Sequence, residues 1–113
     1  MKKNFTKLRK IHEKARKSPE STNNSDFEVN YHVTCSQIKN FQLQATAGEH
    51  AVTLDEPHNI AGDNTAMNAV QMLLSAFASC YETNWLFYIT AYNLDVEDIS
   101  VSISAVIDRR YSL

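Results

Sequence analysis

The chain has 113 residues, 43% of them hydrophobic, with only two glycines, two prolines and two cysteines. That length suits one domain with a working core, and the composition excludes a disordered chain or a disulfide-built secreted module. No secretory signal opens it and no run is apolar enough to span a bilayer, so a reducing, cytoplasmic setting is expected.

The net charge of -2 conceals an asymmetry. Residues 1–17 carry eight of the eleven Lys/Arg against one Glu, a charge of +7, which leaves -9 for the remainder. Phe5, Leu8, Ile11 and Ala15 form a narrow apolar stripe among these lysines, so residues 1–20 read as a basic amphipathic helix ended by Ser18-Pro19. Its basic residues run into the last turn, where they suit the helix dipole. A basic arm on an acidic body could seek nucleic acid or acidic lipid. The expectation is a solvated helix lying on its own acidic domain, with neither nucleic acid nor membrane as a partner. A polar linker at 21–26 follows.

From residue 27 the period changes to two. Phe27, Val29, Tyr31, Val33 and Cys35 alternate with Glu28, Asn30, His32 and Thr34, which predicts a strand with Cys35 on its apolar side. Phe41, Leu43, Ala45 and Ala47 form a second strand across a turn at 36–40, and Gly48-Glu49 leads to a third short strand with Val52 and Leu54. The three should form a meander with one face packed on something else. Residues 55–64, DEPHNIAGDN, carry the turn residues of a loop.

The chain is organised around the next stretch, from Asn68 to about Tyr92, which predicts one long apolar helix. Asn68 is a favoured N-cap, Gln71 completes a capping box, and Asn93 is a natural stop. Leu73, Ala76, Phe77, Cys80, Asn84, Phe87 and Ala91 share one face, so Cys80 is expected on a stripe buried in a domain interior or a subunit interface. Beyond Asn93, Ile99, Val101, Ile103, Ala105 and Ile107 alternate with serines and read as a last strand.

Residue types alone give little chemistry. There is no glycine-rich phosphate loop and no Cys-x-x-Cys pair, and His12, His32, His50 and His58 are scattered without metal-ligand spacing. No cofactor or metal is expected. Cys35 reads as a small strand hydrophobe, and Cys80 taken alone reads as a packed helix residue.

The order of segments adds a resemblance. Residues 54–80, LDEPHNIAGDNTAMNAVQMLLSAFASC, resemble the OsmC/Ohr family of thiol-dependent hydroperoxide reductases. Asp55-Glu56-Pro57 matches a strand end of that family, Gly62-Asp63-Asn64 its loop, and Asn68-Ala69 its Asn-Pro helix start. Ala76-Phe77-Ala78-Ser79-Cys80 brings the thiol to the family's spacing, and Leu94 to Ile99 and Asp108 also fit. The similarity covers residues 27–110; the basic helix lies outside it.

The resemblance implies an α+β fold for residues 27–113, with antiparallel strands packed around a long central helix in an intertwined homodimer. It implies that Cys80 is the catalytic thiol, attacking organic or hydrogen peroxide and then regenerated by a thiol reductant. Three departures accompany it. Val70 stands where peroxidase branches have a glutamate, and Lys39 is the only early-strand cation. The part of the family pattern that carries the resolving cysteine is missing from these residues, so residues 27–113 are expected to be a truncated, N-terminal portion of the fold. The alternative is a non-catalytic dimeric domain of the same fold whose helix pocket binds a small hydrophobic ligand.

Overall fold

The computed structural model describes residues 5–17 and 28–111. The expected linker at 21–26 and the first strand residue, Phe27, lie outside them. The order is α1 (Phe5–Lys17), β1 (Thr34–Lys39), β2 (Gln42–Ala47), β3 (His50–Leu54), a single 3₁₀ turn at His58–Ile60, and α2 (Ala69–Ala91). The protein is therefore a small α+β chain with one three-stranded antiparallel sheet and one long helix.

The sheet is a simple meander in the order β1-β2-β3. Cys35 pairs with Ala45, which in turn pairs with Val52, and Leu43 pairs with Leu54. Because paired residues share a face, Cys35 stands with the apolar set, as the alternation requires. The first turn is tighter than the sequence implies. Lys39 pairs with Gln42 across Asn40-Phe41, and Asn40 takes a left-handed φ of 53° that asparagine tolerates. Gly48 makes the second turn with φ 60°, as a two-residue hairpin loop with glycine first demands.

Two expected strands differ from the sequence reading. Residues 28–33 and 99–107 alternate as strands do, yet neither belongs to the sheet. A ladder extends only as far as its partner: β2 supplies six residues to β1, and no described strand lies beside residues 99–107.

α2 begins and ends on local signals. The Asn68 side chain accepts from the Gln71 backbone N–H at 2.9 Å, and the Gln71 side chain accepts from the Asn68 N–H at 3.0 Å. At the other end Asn93, with φ 52°, donates to Thr90 while Leu94 donates to Ile89. These two bonds are a Schellman closure with asparagine in the left-handed position.

Little of this single chain is sealed. The buried apolar side chains among the described residues are Leu54, at 8% exposure, and Ile89, at 4%. Leu43 and Val52 on the apolar face of the sheet are exposed, so α2 does not cover that face within one chain. The packing of strands around the helix expected from the resemblance is thus not made by one chain alone. α1 lies against α2, whose only charged residue is Glu82. The basic helix therefore rests on a nearly uncharged helix rather than on the acidic part of the chain. No helix among the described residues is long and apolar enough to cross a membrane.

Candidate functional site

Cys80 sits at the middle of the 23-residue α2. One helical turn to either side are Ala76, Phe77, Thr83 and Asn84, and Leu73 and Phe87 extend the same face. The apolarity of α2 had suggested that this face is buried. In the chain it is open: Cys80 is exposed, as are Leu73 at 70% and Phe77 at 64%. The side turned toward the chain is another one, carrying Ala78, Glu82, Leu86, Ile89 and Thr90. A helix apolar almost all round does not say which of its faces its own chain will cover.

The hydroxyls beside the thiol are occupied by the helix itself. Ser79 Oγ donates to the Ala76 carbonyl at 3.0 Å, and Thr83 Oγ1 donates to the Ser79 carbonyl at 2.7 Å. No hydrogen bond or ion pair joins Cys80 to a cation among the described residues. About 16 Å of helix separates it from the start of α2 at Ala69, too far for the positive end of the dipole to act. Lys39 ends β1 beside the Asn40 turn, and Val70 lies exposed in the first turn of α2. Cys35, also exposed, is on β1, and both thiols are free.

The segment that delivers α2 is held far more tightly than the thiol. Asp55, at 2% exposure, directly follows β3, with its backbone N–H donating to the Met67 carbonyl at 3.1 Å. Its carboxylate accepts from the Thr65 hydroxyl at 2.6 Å, the Thr65 N–H at 3.0 Å and the Glu56 N–H at 2.7 Å. These donors, the Thr65 hydroxyl first, lower its pKa from 3.8 to about 2. Asn40 and Gln42 at the β1–β2 turn donate to Asp63 and Thr65, each at 3.1 Å, and tie the sheet to the same loop.

Gly62 completes this clasp. A β-carbon there would stand 1.8 Å from the Glu56 carbonyl oxygen, so no other residue fits without moving the loop. The Gly62 N–H donates to Pro57 at 3.0 Å and the Asn64 N–H to Glu56 at 3.0 Å. Sequence reasoning placed Asp55 and Gly62 in a loop, by their turn chemistry and by the resemblance, and passed over Thr65. The usable signal was the density of Asp, Asn, Gly and Thr, side chains that bond to nearby backbone.

The arrangement brings together a fixed loop, a capped helix and an accessible thiol on an apolar face. It does not bring Lys39 or Cys35 into bonding contact with Cys80. Comparison with family models, with curated proteins and with solved structures finds no match to this chain.

Proposed function

We propose that this chain is an OsmC-like, thiol-dependent peroxide reductase that works as a homodimer, with Cys80 as the attacking thiol. The observation that supports it best is the placement of an exposed thiol at the middle of an open apolar helix face, led there by a rigid loop. Phe77, Leu73 and Phe87 give that face the character to receive the alkyl part of an organic hydroperoxide. A second copy laid on the same face would shield the aromatic and leucine side chains that one chain leaves in water.

The chemistry runs through the thiolate. Cys80 sulfur attacks one peroxide oxygen, the O–O bond breaks, and the other oxygen takes a proton and leaves as alcohol or water. The sulfur becomes a sulfenic acid. A low-molecular-weight thiol then displaces water to form a mixed disulfide, and a second thiol releases Cys80 and carries away the disulfide. Cys35 is the only other thiol in the sequence, and no bond links it to Cys80. Turnover should therefore be slow, with Cys80 drifting to sulfinic and sulfonic acids when reductant is scarce.

Mass spectrometry after a peroxide pulse tests the reading. The expected result is oxidation at Cys80, absent in Cys80→Ser and unchanged in Cys35→Ser. An unmodified Cys80 would overturn it in favour of a domain that binds a hydrophobic ligand without chemistry. Sustained turnover through a Cys35–Cys80 disulfide would refute the assignment of an external thiol.

A further inference from the structure

We propose that α1 and α2 together form a binding surface for single-stranded nucleic acid, with phosphates held by a lysine row on α1 and bases stacked on an aromatic row of α2. The proposal does not rest on the chemistry of Cys80.

The helical form of α1 orders its charge. At about 100° per residue, Lys7, Lys10 and Lys14 fall within about 60° of one another. All three are exposed, and none is ion-paired with another described residue. Their axial intervals, about 4.5 and 6 Å by helix rise, make a line of point charges rather than a patch. A line of this kind suits the backbone of one strand.

The helix beneath supplies the second part. Trp85, Tyr88 and Tyr92 are all exposed on α2. Tyr88 and Tyr92 are stacked at 6.2 Å with planes 4° apart, and Trp85 lies 6.5 Å from Tyr88. The three sit about 80–140° around the helix from Cys80, so this row is distinct from the thiol face. Every base has a π-face, and an electropositive track beside exposed rings is how single strands are held without sequence reading.

Charge balance favours the same partner. The sequence of α1 has six basic residues and Glu13, and α2 contributes only Glu82, so the helix pair carries +4 in a chain of net charge -2. The acidic residues that would repel a polyanion lie mostly elsewhere, in the β2–β3 turn, the clasp and residues 95–108. An anionic membrane would draw on the same lysines, and the vesicle arm of the test separates it from a single strand.

The test uses the full chain with fluorescein-labelled single-stranded (dT)20, a duplex of equal length, and phosphatidylserine vesicles. Anisotropy should show binding to (dT)20 in preference to the duplex. Affinity should fall about 20-fold between 50 and 200 mM salt, the dependence expected of about three phosphate contacts on a single strand. Trp85 is the only tryptophan, so its emission reports stacking directly and should be quenched. Replacing Lys7, Lys10 and Lys14 together with Gln should flatten the salt dependence. Tyr92→Leu should instead weaken binding at least about fivefold without changing the slope. Unchanged Trp85 emission on binding, a triple variant that binds like the parent, or binding to vesicles but not to (dT)20 would each overturn the proposal.

Discussion

The clasp around Asp55 and the middle of α2 lie in one chain but are completed in different ways. In the clasp, a carboxylate at 2% exposure accepts three hydrogen bonds, and a glycine lies against the Glu56 carbonyl where nothing larger fits. In α2 the backbone is closed at both ends, but Phe77, Leu73 and Phe87 stand in water. Polar groups find partners locally because their bonds are short and directional. Apolar side chains need area, and one chain of this topology does not offer enough of it. The clasp is complete by itself; the α2 face is left open by its own chain.

The sharpest way to break this contrast is at Gly62. Gly62→Ala should cost about 3 kcal/mol or more, since the new methyl meets backbone rather than a side chain that could swing away. Urea unfolding measures it, and a loss under 1 kcal/mol would mean that the loop is softer than its geometry implies. Phe77→Glu should act oppositely. Helix content should persist by circular dichroism while self-association weakens by about 2 kcal/mol, the loss of an interface anchor. A milder effect is expected at Asn68→Ala, about 1 kcal/mol from loss of the cap, read by thermal unfolding.

The smallest effect is one of pH. Asp55 has its folded pKa depressed to about 2, from 3.8, first by the Thr65 hydroxyl. Its contribution is fully present above about pH 4 and is lost as pH falls toward 2. Thr65→Val should move that loss upward toward pH 4. An acid transition identical in the variant would show that the clasp does not report through Asp55.

The same contrast explains what the sequence revealed. Both ends of α2 were legible because Asn68, Gln71 and Asn93 act through neighbours three residues away or fewer. The Gly48-Glu49 turn and the face of Cys35 were legible for the same reason. The span of β1 was not: residues 28–33 alternate as well as Thr34–Lys39, but only the second set meets β2. The last alternating run, 99–107, failed similarly, for want of a described neighbouring strand. For Cys80, periodicity gave its companions on the helix, while the single chain leaves that shared face open. Which face is covered depends on what lies opposite, and that is not written in the helix.

Sedimentation equilibrium at micromolar concentration tests the central claim most directly. The account predicts a reversible homodimer in the parent chain and a monomer in Phe77→Glu. A parent chain that remains a soluble, cooperatively folded monomer would contradict it, because the open face of α2 would then need no partner.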